Sequence, residues 1–322
     1  MFRQDRTNPS TAVSTWKGRK DLPKANPSTA VSAWMNGGLA GGGTPITAFG
    51  GVITQYEDSG TTYRVHAFRG SGTFTVSAGS ADVDYLIIAG GGAGAFSYQG
   101  AGGGGAGGVK TATGLTVDAA SSPYTITVGA GGDQTYEANG GNNSVALGVT
   151  ATAGGGGANS SGEEDGGSAG GGTGAGYAAG STTDAAQGND GGAYATHASY
   201  KAGGGGGGKG GAGSNGVLWN GAAGGAGATG YGIGSATPLY AGGGGGAGWI
   251  NSLNAGSGAG GTGGGGKGGA YHAADVQTVA NTAGVPNTGS GGGGGRSGSA
   301  TSIPATGDGA TGIVLIRYAV AV

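Results

Sequence analysis

The side chains that most often perform chemistry in proteins are few and scattered in this chain of 322 residues. Its three histidines, His66, His197 and His272, stand in different sequence contexts, and the chain has no cysteine. Nucleophilic catalysis needs a base at a definable spacing, and no Ser or Thr hydroxyl has one. Without cysteine there is neither a disulfide nor a thiolate metal site. We therefore predict a non-enzyme with no catalytic residues, no metal site and no cofactor.

One acidic cluster, Glu163-Glu164-Asp165, is flanked by glycine and serine residues. Its carboxylates could coordinate Ca²⁺, because a hard cation prefers oxygen ligands and a turn can present them. A solvated loop is the simpler interpretation, and it is the one that the sequence favours.

Two glycine runs followed by lysine, residues 203–210 and 263–268, superficially resemble phosphate-binding loops. Neither run has Ser or Thr after the lysine, nor a strand before it and a helix after it. The formal net charge is −2, only 9% of the residues are charged, and Lys and Arg form no cluster. Since nucleic-acid binding normally needs a basic surface, we expect neither a nucleotide nor a nucleic acid as a ligand.

Aromatic side chains between the glycine tracts are better candidates for function. Tyr and Trp in loops on a rigid scaffold are typical contact residues, because they combine an apolar body, a polar tip and little rotamer entropy. We predict that the receptor contacts are Tyr194, His197, Tyr200, Tyr231, Tyr240, Tyr271 and His272. The alternative is that such rings cap a core that lacks large side chains. That alternative is favoured for the short loops that contain Trp219 and Trp249.

The elements that must position these residues are dominated by glycine, which supplies 90 of the 322 residues. The glycines form consecutive tracts such as 102–105, 203–208, 242–246 and 291–295. Each ordered glycine costs roughly 0.5–1 kcal/mol relative to alanine, so the tracts need a common structural use. We predict polyglycine II packing, in which left-handed helices with three residues per turn obtain all their hydrogen bonds from neighbours.

Glycine-rich chains have two other common structures. Collagen requires glycine at every third position and abundant proline, whereas this chain has consecutive glycines and only eight prolines. A flexible Gly/Ser linker is the stronger alternative. The regular placement of Tyr, Trp, Val, Ile and Leu between the tracts argues against it.

The strands predicted from the sequence lie on either side of the tracts. Residues 52–56, 62–68 and 72–76 are rich in β-formers and are separated by turns that contain glycine. Residues 83–89 and 312–318 read as buried strands, and we expect both in one sheet that closes the glycine-rich domain. The predicted fold is mainly β and irregular, with almost no α-helix. Its predicted parts are a docking segment (1–44), a small β module (45–84) and a polyglycine II domain with binding loops (85–322).

The docking segment contains a direct repeat. The nine residues 8–16 recur as residues 26–34, and only Thr15 against Ala33 differs. Two near-copies suggest two similar docking sites, since Val and Trp are anchors of the kind that dominate interface energies. The predicted particle-docking residues are Pro9, Val13, Trp16, Pro27, Val31 and Trp34. A duplication without function is the alternative.

The first residues have no apolar signal-peptide region and no stretch reaches membrane-spanning length, so we expect no membrane insertion.

Several of these segments together resemble a known family. Residues 63–68, 71–74 and 85–92, the glycine tracts and the strand 312–318 resemble the glycine-rich domain common in tail fibres and other virion proteins of bacteriophages. The tracts are also similar to the polyglycine-sandwich adhesins that tip the long tail fibres of some phages. The resemblance covers residues 50–318 and excludes the repeat. It implies a homotrimeric virion protein of a kind that often recognises the host, and it transfers no single receptor residue.

These observations lead to one expected function. The chain is expected to be a tail fibre or adhesin made in the host cytoplasm and located in the virion. It would dock to other virion proteins, of the tail or the capsid, through residues 1–44, and bind a host-surface glycan or protein through its loops. A capsid decoration or head-fibre protein without receptor recognition is the alternative. An ice-binding protein is a remote third possibility, against which the long aromatic loops argue.

The position of the binding loops follows from counting the tracts. If successive tracts run antiparallel, the end opposite the N-terminal module carries five loops: residues 95–99, 133–142, 177–202, 231–241 and 270–290. The turns at 159–165, 214–220 and 249–255 would then lie beside the module. This arrangement would place all seven receptor-contact candidates at one end.

Overall fold

The computed structural model describes residues 46–97, 99–134, 138–159, 164–229, 240–250, 255–272, 277–295 and 307–320. Within these ranges the chain forms fifteen strands and irregular segments without a helix, which confirms the predicted mainly β and irregular fold. The repeat with Pro9, Val13, Trp16, Pro27, Val31 and Trp34 lies outside the described residues, and so does Tyr231.

A five-stranded antiparallel sheet holds the two ends of the glycine-rich part together. Its order is β2 (Val52–Asp58), β3 (Thr61–Phe68), β15 (Ile313–Val320), β5 (Ser80–Ile88) and β6 (Val109–Asp118). β5 and β15 are neighbours, with Ile87 opposite Val314 and Leu86 opposite Leu315. Both strands carry consecutive apolar residues because both faces of the sheet are covered at this point. The prediction that these two segments share one closing sheet is confirmed.

A second sheet packs against one face of the first. It contains β1 (Thr47–Phe49), β4 (Gly72–Ala78) and β7 (Tyr124–Ile126), and the hairpin of β8 (Ser144–Ala146) and β9 (Val149–Ala151) lies beside it. Alternate residues of these strands, such as Phe74, Val76 and Ile126, bury their side chains in one cluster with Ile316 and Tyr318. We call the two sheets and the hairpin the β module. The boundary predicted after residue 84 falls inside β5, and the module takes in later strands up to β15.

The glycine tracts pack as a lattice with a three-residue hydrogen-bond repeat. In residues 101–108, successive amides donate to different tracts: Gly103 to Gly204 O (3.0 Å), Gly104 to Gly292 O (2.8 Å) and Gly105 to Gly155 O (2.8 Å). Ala106 then returns to the first tract and donates to Gly207 O at 3.0 Å. A rotation through three neighbours every three residues is the periodicity of polyglycine II.

The same tract accepts hydrogen bonds from three further tracts. The carbonyl oxygens of residues 104, 105 and 106 accept the N–H groups of Gly244, Gly92 and Ser168, respectively. Residues 101–108 are therefore surrounded by six tracts, three that receive their N–H groups and three that donate to their carbonyls. The linker alternative is wrong, because these glycines are buried and hydrogen-bonded on all sides.

Only glycine fits at most lattice positions. A Cβ built on Gly103 would overlap the carbonyl oxygen of Gly244, and one built on Gly244 would overlap that of Gly292. Glycine has a hydrogen atom in place of Cβ, so backbones can lie against one another on every side. The lattice therefore needs no large apolar core.

The lattice has two ends. The near end adjoins the β module, where β5, β6 and β15 join the tracts at Ala89, Gly108 and Gly312. The opposite far end contains Ala95 and Ala101. Residues 89–95 and 101–108 run antiparallel between the two ends, with Ala89 donating to Gly108 O and Ala95 to Gly102 O.

The predicted alternation of tracts fails after residue 138. Residues 138–143 already return to the near end, since Gly90 donates to Asn142 O and Ala93 to Asn139 O. The β8–β9 hairpin reverses the chain there, so residues 152–158 lead away, with Gly157 donating to Ala93 O. Because of this extra reversal, several later loops lie at the end of the lattice opposite to the predicted one. The prediction was wrong for turn 214–220, for the described parts of 249–255 and for Asn159 of turn 159–165, which lie at the far end. It was also wrong for residues 184–187, 240–241 and 287–289, which belong to predicted far-end loops and lie at the near end, with Val109 donating to Gln187 O and Gly107 to Gly289 O.

Candidate binding surface at the far end

A small sheet covers part of the far end. Its order is β10 (Ala195–His197), β11 (Tyr200–Ala202), β12 (Gly248–Ile250), β13 (Ala270–His272) and β14 (Gln277–Val279). Strand formation begins where the tracts end, because Tyr, Thr, Trp and Ile replace glycine there and favour a pleated backbone. Trp249 of β12 packs on a buried cluster of Ala95, Ala101, Ala138 and Ala247 and thereby fixes the sheet on the lattice.

Five of the seven predicted contact residues lie at this end. His197 is opposite Tyr200 in the β10–β11 pair, and Tyr200 is opposite Ile250 in the β11–β12 pair. Tyr271 and His272 stand in β13 opposite Trp249 and Ile250. Tyr194 directly precedes β10 and is half-buried over Gly172. The sheet therefore brings together residues that are far apart in the sequence.

Tyr240 is a correction to the predicted site. It lies at the near end, where its half-buried ring packs on a cluster of the β module that includes Val65, Leu86 and Ile88. Burial raises the pKa of its phenol, and the positive charge of Arg69 partly opposes this effect. Tyr240 therefore caps a core, which was the alternative interpretation for the aromatic residues.

Three aromatic rings touch at the far end. The rings of His197 and Tyr200 are stacked, with centroids 4.6 Å apart and an interplanar angle of 14°. The indole of Trp219 meets Tyr200 nearly at right angles, at 6.1 Å and 81°. We call these three residues the aromatic cluster. Such ring pairs contribute about 0.5–1.5 kcal/mol each beyond the area that they bury, so the cluster holds its side chains in defined positions.

The turn that carries Trp219 is strained and apolar. Val217 and Asn220 exchange backbone hydrogen bonds of 3.3 and 2.9 Å across it. Leu218, inside the turn, has φ of 53°, a left-handed conformation that costs a residue with a Cβ roughly 1–2 kcal/mol. Val217, Leu218 and Trp219 are nevertheless 61%, 44% and 36% exposed. Neither the strain nor the exposure helps this turn to fold, so we interpret it as shaped for contact with another molecule.

The lattice holds this turn rigidly. Gly216 donates to Ala193 O at 2.8 Å, and Gly221 donates to Gly256 O at 2.9 Å, so both ends of the turn are fixed. A Cβ on Gly248 would overlap the carbonyl oxygen of Trp219, which shows how closely the turn lies against β12. The Trp219 side chain is therefore presented on a preorganised backbone. The sequence analysis favoured core capping for Trp219, although a Val-Leu-Trp-Asn run between two glycines is unusual for a solvated turn.

The described residues around the cluster carry little formal charge. Among the described residues of the far-end sheet and turn 217–220, Lys201 carries the one formal charge, and its ammonium group donates to Gln99 Oε1. Nδ1 of His197 accepts the backbone N–H of Ser199 at 3.3 Å, so the proton of the neutral ring lies on Nε2. This nitrogen can donate a hydrogen bond to a ligand.

The described part of the acidic cluster takes part in local structure. Glu164 Oε1 accepts the N–H of Asn159 at 3.0 Å, and Asp165 Oδ1 accepts the N–H of Ser181 at 2.7 Å. Glu163 lies outside the described residues. No group of three or more metal-ligating side chains occurs in the ranges that the structure describes. The same ranges contain no helix with the length and hydropathy needed to cross a membrane.

The lattice, the closing sheet and the far end define a glycine-rich β protein that exposes aromatic and apolar side chains at one end. A family model described as "glycine-rich domain" matches residues 64–319, and the chain belongs to this family. The match agrees in extent with the resemblance noted from the sequence. No curated protein matches the chain by sequence.

Proposed function

We propose that the protein is a bacteriophage virion protein of the tail-fibre or adhesin type, which attaches to the host cell through its far end. The observation that carries this proposal is the turn that exposes Val217, Leu218 and Trp219 on a rigid lattice. Strained and exposed apolar residues beside stacked aromatic rings are typical of contact sites. A capsid decoration protein without receptor recognition has no use for such a surface.

The place where the described chain begins supports the same proposal. The described chain begins at Ile46, whose side chain belongs to the core of the β module at the near end. The described chain therefore begins at the end opposite the aromatic cluster. A protein that docks to a particle through its N-terminus and binds a cell through its tip needs this separation.

The attachment test compares variants of the purified full-length chain for binding to intact cells of the bacterium that the phage infects. We expect Trp219→Ala to weaken binding at least about tenfold, as for an aromatic hot spot. Tyr177→Ala is the matched control, because Tyr177 is an exposed tyrosine in another far-end turn, bonded to Thr173 through its backbone. Equal binding by the natural chain and both variants, or no binding of the natural chain to cells, would contradict the proposal.

Docking is tested separately. A photo-crosslinking residue at Trp16 or Trp34 is expected to capture a tail protein in the assembled particle. Capture of a capsid protein instead would favour the decoration alternative.

A further inference from the structure

We propose that the ligand of the far-end surface is an uncharged saccharide, which stacks on Trp219 and receives a hydrogen bond from Nε2 of His197. This inference rests on the proposed attachment function and specifies the chemistry of the same surface. It starts from three properties of the described residues: rigid aromatic rings, polar groups beside them and the near absence of charge.

The first property is the geometry of the rings. Tyr200 contacts both other rings, since it is stacked on His197 and meets the indole of Trp219 nearly at right angles. Tyr200 is therefore a positioning residue, and the exposed part of Trp219 is the surface left for a ligand. A sugar ring has a flat face of C–H groups, whose partial positive charge suits the negative face of an indole.

The second property is the supply of hydrogen bonds. Sugars carry hydroxyl groups around the rim of the ring, and these groups need partners when water is displaced. The Nε2–H of His197 is a donor, while Nδ1 is used by Ser199 N–H. The exposed backbone and side chain of Thr196 and Ser199 lie in or next to the β10–β11 turn and add further donors and acceptors.

The third property is the charge. A phosphorylated or carboxylated ligand would call for arginine or free lysine, because bidentate and charge-assisted hydrogen bonds give the strongest anion contacts. Lys201, the charged residue in the described part of this surface, is bonded to Gln99. The surface therefore suits a neutral ligand better than an anionic one.

A protein receptor is the competing ligand class. Protein hot spots combine aromatic residues with arginine and are enclosed by a rim that excludes water. Trp219 instead stands on a narrow turn between Gly216 and Gly221, with neutral polar residues beside it. We therefore argue the saccharide and treat a protein receptor as an outcome of the test.

The first arm of the test uses saturation-transfer NMR on the full-length chain with neutral methyl glycosides of glucose, mannose, galactose and N-acetylglucosamine. N-acetylneuraminic acid and glucose 6-phosphate are the charged comparators. We expect transfer to at least one neutral glycoside, loss of transfer in Trp219→Ala, partial retention in Trp219→Phe and full retention in the control Tyr177→Ala. Transfer to the charged comparators alone would overturn the inference.

The second arm uses cells treated with periodate, which oxidises vicinal hydroxyls of sugars, or with protease. We expect periodate to abolish binding of the full-length chain and protease to leave it intact. Binding should also change less than about twofold between 0.05 and 0.5 M NaCl, because screening weakens contacts between charges and leaves neutral contacts unchanged. If no glycoside binds in the NMR experiment, the cell-binding experiment decides between a saccharide and a protein receptor.

The two arms separate failure of this inference from failure of the proposed function. Cell binding that survives periodate and is lost with protease overturns the saccharide and leaves attachment in place, with a protein as the receptor. Absence of binding to untreated cells overturns attachment itself.

Discussion

The imidazole of His66 and the phenol of Tyr318 lie against each other in the core of the β module, with Nε2 3.2 Å from the hydroxyl oxygen. On the other side of the ring, Nδ1 lies 2.7 Å from the carbonyl oxygen of Gly50, which can only accept. Nδ1 therefore carries the proton, and Nε2 accepts the hydroxyl of Tyr318. The pair joins β3 to β15 and favours the neutral form of His66.

This pair predicts a pH dependence of stability. Burial lowers the pKa of His66 from its usual value of 6.5; the hydrogen bond to Gly50 opposes this shift, and the charge of Arg64 adds to it. Below pH 6.5 the unfolded chain binds a proton at His66 more readily than the folded chain does. The contribution of His66 to the free energy of unfolding is therefore fully present above pH 6.5 and is lost as the pH falls from 6.5 through the lowered pKa of the folded state.

The measurement is the free energy of unfolding in urea at several pH values between about 5 and 8. We expect His66→Gln to be less stable than the natural chain at pH 8 and to lose less stability on acidification. An identical slope below pH 6.5 in both proteins would show that His66 does not cause the pH dependence.

The glycine lattice predicts a large difference between two alanine substitutions. A Cβ on Gly244 would overlap the carbonyl oxygen of Gly292, whereas the nearest atom to a Cβ on Gly211 is 4.0 Å away. We expect Gly244→Ala to destabilise the protein by about 1–3 kcal/mol or more, because backbones must move apart. Gly211→Ala should be neutral or stabilising by up to about 1 kcal/mol, since alanine restricts the unfolded chain. Thermal unfolding followed by circular dichroism measures both, and equal tolerance would contradict the lattice.

Side-chain amides complete the lattice where a tract ends. Gln134 donates through Nε2 to Gly94 O at 2.9 Å, and its Oε1 accepts from Asn281 Nδ2 and from Gly307 N, both at 2.9 Å. Gln134→Leu would remove the hydrogen bonds that the carbonyl oxygen of Gly94 and the N–H of Gly307 make to this side chain, at a cost of about 1–3 kcal/mol for each buried group left unsatisfied. Gln55→Leu is the control on the exposed strand β2. Urea unfolding should show a clear loss for the first variant alone.

The sequence predicts some parts of this fold better than others. The strands from β2 to β5 and β15 are predictable because β-formers and turn residues alternate there. The entropy cost of ordered glycine predicts the polyglycine packing. The direction of each tract was not predictable in the same way, because glycine has no side chain that marks a buried face or an end.

One hairpin accounts for much of the topological error. β8 and β9 are joined by Leu147 and Gly148, which have φ of 54° and 76°. Hairpin turns with two left-handed residues usually have the sequence Asn-Gly or Asp-Gly. Because leucine occupies the first position here, the sequence does not indicate a hairpin. Because this reversal is missing from the prediction, turn 214–220, and Trp219 with it, was predicted at the near end.

The strain at Leu218 gives a prediction that separates stability from binding. Leu218→Gly removes the penalty of the left-handed conformation, while the added freedom of the unfolded chain costs roughly 0.5–1 kcal/mol. We therefore expect its free energy of unfolding to equal or exceed that of the natural chain. Leu218→Ala keeps a Cβ in the left-handed conformation and should not be stabilised. Both variants lose the exposed leucine side chain, so both should bind cells more weakly. If Leu218→Gly binds as tightly as the natural chain, the turn is not a contact site, and its strain has another origin.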